Sequence, residues 1–106
     1  MKFTLDDIEI TLLLNFANIS KVEKAIGSVF SFAQKLSEKS AAFTDVVNVY
    51  YFMQEGSAYS QEAIARKIHA DGLVLHLGNM AVLLGEIFSG NKETTKKKAA
   101  ETTPEA

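Results

Sequence analysis

The chain has 106 residues, of which 47% are hydrophobic; it contains no cysteine and has a formal net charge of −2. This length limits the chain to one domain, and the lack of cysteine excludes disulfides and thiolate metal sites. Because a mildly acidic chain lacks the clustered basic surface that neutralises phosphates, we expect no nucleic-acid partner.

The most apolar segment runs from Leu73 to Phe88 and is interrupted by His76, Asn79 and Glu86. A segment this short and this polar does not span a bilayer, so we expect no membrane partner. The N-terminal segment, MKFTLDDIEI, lacks the apolar run of a signal peptide. We therefore predict a soluble protein of the cytoplasm.

Residues 2–5 and 8–14 show apolar side chains alternating with polar ones, on either side of the pair Asp6 and Asp7. This period is typical of strands, so it predicts a short β-hairpin with one buried face. A two-stranded hairpin alone is marginal in water. We expect it to pack on helices or to pair with another chain.

From residue 15 onward the apolar period is helical, and it predicts a compact bundle of about five helices. The predicted N-caps of the first four helices are Asn15, Ser28, Ser40 and Ser60. The predicted core consists of the apolar positions at helical spacing, namely Phe16, Ile19, Val22, Ile26, Phe32, Leu36, Phe43, Val46, Val47, Tyr50, Ile64, Ile68, Leu73, Leu77, Met80 and Leu84.

The fifth predicted helix, residues 73–88, carries two apolar arcs at 100° per residue. Large side chains form one arc, from Leu73 to Phe88, and His76, Asn79 and Glu86 are predicted to form a narrow polar back. The second arc consists of small residues: Val74, Gly78, Ala81 and Gly85. Glycine costs about 1 kcal/mol in a helix interior, so its glycines suggest that another backbone approaches closely. This arc is either packed inside the bundle or a contact surface for a second chain.

The domain predicted from these patterns covers residues 1–90, and residues 91–106 are predicted to form a disordered polar tail. From Ser89 onward the chain contains no aromatic and no branched aliphatic residue. Such a segment cannot bury enough apolar surface to offset the entropy of ordering it.

No chemical site is predicted, so we expect no catalytic residue, cofactor or metal. His69 and His76 would lie about 10 Å apart along a helix, and we expect both at polar positions on a solvent-facing or cap-proximal edge. The sequence lacks a nucleophile elbow and a phosphate-binding glycine loop. The segment from Ser60 begins like a helix-turn-helix, but its second helix starts with Leu73, Val74 and Leu75 instead of base-reading residues.

The order of elements resembles the small tail assembly chaperones of long-tailed phages, in particular the type found in gene transfer agents. The resemblance covers roughly residues 3–90, and its carriers are the first strand followed by Phe16, Ile19, Glu23, Gly27, Asp45, Val46, Ser60, Ile64, Ile68, Gly72 and Leu73. It implies a helical protein without an active site that oligomerises and coats the tape measure protein.

On this resemblance, the protein would keep the tape measure protein soluble in the cytoplasm of a bacterial host until tail tube subunits polymerise around it. The expected partners are copies of the chain itself, the tape measure protein and the tail tube protein, and the chaperone would be absent from the mature particle. A permanent structural subunit of the tail or its connector remains an alternative, and a small DNA-binding regulator is a weaker one.

Overall fold

The computed structural model describes residues 1–90, so the predicted tail lies outside the described residues. Its elements follow the chain in the order β1 (Lys2–Leu5), β2 (Ile8–Thr11), α1 (Phe16–Ile26), α2 (Val29–Ser37), α3 (Phe43–Met53), α4 (Gln61–Asp71) and α5 (Leu73–Ser89). The predicted fold class is confirmed: the protein is mainly helical, with an N-terminal hairpin followed by five helices.

The hairpin is antiparallel, and Lys2 pairs with Thr11 while Leu5 pairs with Ile8. Its tight turn uses Asp6 in the left-handed region, at φ 56°, which aspartate tolerates better than most residues. One face is buried as predicted, through Leu5, Ile10 and Leu12. Beyond β2, Leu12 forms an isolated antiparallel bridge with Gln54, and this bridge ties the hairpin to the segment after α3.

Helix α3 is the centre of the bundle, since it packs against α1, α4 and α5. Five of its residues are buried, which are Val46, Val47, Val49, Tyr50 and Met53. Burial on several sides explains why this helix is more uniformly apolar than a surface helix. Helices α2 and α5 also contact each other, and α4 contacts β1.

Most of the predicted core is found in the core. The fully buried members are Val22, Phe32, Val46, Val47, Tyr50, Ile64, Ile68, Met80 and Leu84. Six others are half-buried and pack against this cluster from its edge: Ile19, Ile26, Leu36, Phe43, Leu73 and Leu77. Leu83 was not predicted to belong to the core, but it is fully buried.

The prediction that Phe16 belongs to the core is wrong, because its side chain is 85% exposed. The buried face of α1 carries Asn18 and Val22, and Phe16 lies about 140° round the helix axis from that face at 100° per residue. Asn18 takes the inner position because its amide group donates to the carbonyl oxygens of Leu13 and Met53, at 3.0 and 3.3 Å.

Three of the four predicted N-caps are confirmed: Asn15, Ser28 and Ser60 each accept hydrogen bonds from the first turn of their helix. Ser40 is not a cap, and α3 begins after Ala42, which offers no side-chain hydrogen bond. Ser40 instead completes the end of α2, where its N–H donates to Lys35 O at 2.8 Å. Lys39, in the left-handed region at φ 58°, turns the chain there.

Candidate functional site

Helix α5 presents its two sides to different surroundings. The inner side is buried through His76, Met80, Leu83 and Leu84. The prediction that His76 belongs to a polar, solvent-facing back is therefore wrong, since this residue is 0% exposed. His69, the other histidine, is exposed near the end of α4, as predicted.

His76 tolerates burial because both ring nitrogens have partners. Its Nε2 lies 2.6 Å from Asp71 Oδ2, and its Nδ1 lies 2.8 Å from the hydroxyl of Tyr50. A carboxylate only accepts, so Nε2 carries the hydrogen and Nδ1 accepts from Tyr50. Asn79 Nδ2 donates to the same hydroxyl at 3.1 Å. The four side chains thus form a satisfied chain of hydrogen bonds joining α3, α4 and α5.

The electrostatics of these four hydrogen-bonded side chains fit a structural role. Burial raises the pKa of Tyr50 to about 12, against an opposing hydrogen bond from Asn79. The hydrogen bond from His76 lowers the pKa of Asp71 below its usual value, and a second bond from the backbone N–H of Asp6 acts in the same direction. Tyr50 is 0% exposed, so its hydroxyl cannot reach a substrate. The group fixes the rotation of α5 about its own axis.

With that rotation fixed, the opposite side of α5 faces outward. Val74, Gly78, Ala81, Gly85 and Phe88 lie on this side, at alternating spacings of four and three residues, and all five are exposed. We call these five residues the α5 outer stripe. Their spacing is the a/d pattern of a helix that packs against another helix. All four residues predicted to mediate association are therefore brought together on one exposed surface.

The apolar surface extends beyond the stripe. Val74 is 83% exposed and Phe88 is 44% exposed. Leu75 and Val82 flank the stripe, each 55% exposed, and Phe30 of α2 stacks on Phe88 with ring centroids 4.9 Å apart. These three flanking residues were not predicted from the sequence, although Leu75 and Val82 have the same seven-residue separation as Gly78 and Gly85. Contiguous exposed apolar surface of this kind marks contact sites.

The two glycines of the stripe have no role in the packing of the described fold. Both lie inside α5, and a Cβ added at Gly78 or Gly85 would meet nothing within 4 Å. Neither has a positive φ, so an alanine would fit at either position. Glycine in place of alanine costs about 1 kcal/mol at each helix-interior position. The close backbone approach that they permit is therefore not made within residues 1–90.

Other kinds of site were sought in the same residues. Over positions 1–90, no group of three or more histidine, aspartate or glutamate side chains is placed to hold a metal ion. None of the helices in this part of the chain is by itself long and apolar enough to cross a membrane; α4 and α5 reach that length and composition only as a pair bent by 113°.

Comparison with known proteins identifies no relative: no family model, no curated protein and no solved structure matches the chain.

Proposed function

We propose that this protein is a phage tail assembly chaperone, which associates with copies of itself and holds the tape measure protein soluble through the α5 outer stripe. The observation that carries the proposal is the exposed position of Gly78 and Gly85 within an apolar helical stripe. Support also comes from the resemblance in element order, which implies the same kind of protein.

Self-association would cover the stripe with a matching surface. A second α5 packed in register would place glycine opposite glycine, and the large side chains Val74 and Phe88 would contact their counterparts at the two ends of the stripe. Small residues at a helix interface allow the two backbones to approach closely, and this gains dispersion contacts along the whole stripe. The stripe contains no ionisable side chain, so pairing it would bury no unpaired charge.

A helical partner would use the same surface. An amphipathic helix binds an apolar groove through anchors at the spacing that α5 shows, and a long tape measure protein offers such anchors repeatedly. A chaperone must also release its partner, and a narrow stripe with small central residues supports a weaker contact than a large obligate interface.

The DNA-binding alternative receives less support from the residues at the relevant turn. Helices α4 and α5 are bent by 113°, within the range of a helix-turn-helix. However, the exposed residues at the start of α5 are Val74, Leu75 and Gly78. None of them can donate to a base edge or a phosphate through its side chain, so we do not propose this function.

Sedimentation equilibrium of the purified full chain tests the self-association step. We expect oligomers at micromolar concentration, and we expect Gly78→Leu and Gly85→Leu to shift the protein towards monomer while circular dichroism shows an unchanged helical content. Ala25→Leu, at an exposed position of α1, is the matched control and should associate as the wild type does. A strictly monomeric wild type at high concentration would refute the proposal.

Two further measurements test the chaperone role. Coexpression should raise the soluble fraction of a tape measure protein, and Gly85→Leu should abolish this effect while Ala25→Leu keeps it. Mass spectrometry of purified tails should find the chain absent. If tails contain it at a fixed stoichiometry, the protein is a structural subunit of the tail or connector instead.

A further inference from the structure

A second surface lies on another side of the molecule, where the loop after β2, the first turns of α1 and the end of α3 enclose an open groove. Its volume is about 420 Å³, and its walls include Leu13, Asn15, Asn18, Lys21, Tyr51 and Phe52. Grooves of roughly 300–1,000 Å³ accommodate ligands and short peptide segments. None of these residues belongs to the α5 outer stripe, so the groove is separate from the surface used in the proposed function.

Asn18 supplies the most specific feature of this groove. Its side chain is only 8% exposed, and its Nδ2 donates to the carbonyl oxygens of Leu13 and Met53. Both partners are acceptors, which fixes the amide nitrogen towards them and turns Oδ1 the other way. No donor within residues 1–90 reaches this oxygen. An acceptor at the wall of a groove that has no donor from the protein matches an N–H group of a ligand.

The neighbouring buried amide, Gln54, differs from Asn18 in its hydrogen bonds. Gln54, which is also buried, uses both ends of its side chain: Nε2 donates to Tyr59 O at 2.8 Å, and Oε1 accepts from Tyr59 N at 3.0 Å. Asn15 uses its Oδ1 to cap α1 by accepting from Asn18 N at 2.8 Å. Asn15 is exposed and also lines the groove, so its Nδ2 is available to donate to a ligand.

The remaining walls define the side chains that such a ligand would carry. Tyr51 and Phe52 pack edge to face, with centroids 4.9 Å apart, and both are half-buried beside the exposed Leu13. They form an apolar wall. Lys21 is the single charged residue among the residues that line the groove, and it pairs with no carboxylate in residues 1–90. Its charge favours an acidic group on the ligand.

We propose that this groove binds an extended peptide segment in which an apolar side chain is flanked by acidic residues. A backbone N–H of the peptide donates to Asn18 Oδ1, a backbone carbonyl accepts from Asn15, the apolar side chain packs on Tyr51 and Phe52, and an acidic side chain pairs with Lys21. An extended backbone presents donors and acceptors in alternation, which is the arrangement that the two asparagines complement.

The test is an NMR titration of the ¹⁵N-labelled full chain with the peptide acetyl-Gly-Glu-Leu-Glu-Gly-amide. We expect saturable shifts confined to the groove, including the side-chain amide signals of Asn15 and Asn18, with a Kd of about 1 mM or tighter. Lys21→Glu should weaken binding roughly fivefold, which corresponds to about 1 kcal/mol of ion pairing. Lys24→Glu, on the same helix but outside the groove, is the matched control and should bind as the wild type does.

Variants of the peptide separate the contributions that its apolar and acidic side chains make to binding. Replacing its leucine with serine should weaken binding by removing the contact with the aromatic wall, and replacing its glutamates with lysines should weaken binding about as much as Lys21→Glu does. The Gly85→Leu variant should still bind the peptide, so the groove proposal and the proposed function can fail independently. Absence of saturable shifts in the groove, shifts confined to α5, or equal effects of Lys21→Glu and Lys24→Glu would each overturn the groove proposal.

Discussion

At the residue scale, hydrogen-bond partners hold two polar side chains of this protein in its interior. Asn18 and His76 are buried, whereas Phe16 is exposed. Polarity alone predicts the opposite, but burial of a polar side chain depends on its partners. One partner of His76 is Tyr50, 26 residues away, and one partner of Asn18 is Met53, 35 residues away. A local pattern contains no information about partners at such separations.

The hydrogen-bond chain around His76 predicts a non-additive effect on stability. Tyr50→Phe keeps the ring but removes the hydroxyl, which leaves His76 Nδ1 with only Asn79 Nδ2, at 3.3 Å. We expect a loss of about 1–3 kcal/mol in the free energy of unfolding. Asn79→Ala should cost less, because the Tyr50 hydroxyl still donates to His76. The double variant leaves Nδ1 without either donor, so it should lose more than the sum of the two.

Urea unfolding of the four proteins measures this cycle. Tyr51→Phe is the control, since its hydroxyl takes part in no hydrogen bond within the described residues, and it should change stability by less than about 0.5 kcal/mol. Strictly additive losses would show that Asn79 does not share in satisfying His76.

At the element scale, local chemistry predicted most of the helix boundaries. Asn15, Ser28 and Ser60 cap helices, and Gly27 and Gly72 end them at positive φ, as their residue types indicate. The prediction that Ser40 caps α3 is wrong, because Ser40 takes part in the turn after α2 instead. Its N–H closes that turn and its Oγ lies 3.5 Å from Lys35 O, so the start of α3 moves to Ala42.

This shifted start predicts a stabilising substitution. Ala42 already has the extended conformation of an N-cap, with φ −80° and ψ 145°, but it offers no side-chain acceptor. Ala42→Ser should supply one to the first turn of α3 and raise the free energy of unfolding by about 1 kcal/mol. Thermal and urea unfolding measure the change. Ser40→Ala should change the free energy of unfolding little. If Ser40→Ala lowers it by more than Ala42→Ser raises it, Ser40 contributes to the cap of α3.

The grouping of the small residues of α5 was also predicted at this scale. Periodicity separated the small residues of α5 from the large ones, and Val74, Gly78, Ala81 and Gly85 do share one exposed stripe. Periodicity could not decide which arc faces the core, because both arcs are apolar. The buried hydrogen bonds of His76 decide it, and they turn α5 so that Leu83 is buried and Phe88 is partly exposed.

At the scale of the whole molecule, two aspartates connect the hairpin to the helices. Asp71, at the end of α4, accepts from the backbone N–H of Asp6 in the hairpin turn at 2.8 Å and from His76 of α5 at 2.6 Å. Asp7 pairs with Lys67 of α4, and this hydrogen bond lowers the pKa of Asp7. The two-stranded sheet, marginal alone, is thus anchored through carboxylates that must be ionised to be effective acceptors.

Acid should therefore weaken this anchoring. The folded-state pKa of Asp71 is lowered by its hydrogen bond from His76, so its stabilising effect is fully present above the unfolded-state value of about 3.9. That effect is lost as the pH falls through the lower folded-state pKa, because the folded state must then take up the proton at a cost.

We expect Asp71→Asn to be less stable than the wild type at pH 7, and the difference to shrink as the pH falls below about 4. Urea midpoints measured between neutral pH and pH 3 follow this difference. Glu62→Gln, which removes one member of the exposed Glu62–Arg66 pair, is the control and should differ little from the wild type at neutral pH, since exposed pairs contribute little. A gap between Asp71→Asn and wild type that stays constant down to pH 3 would show that the carboxylate charge of Asp71 does not stabilise the contact between the hairpin and the helices.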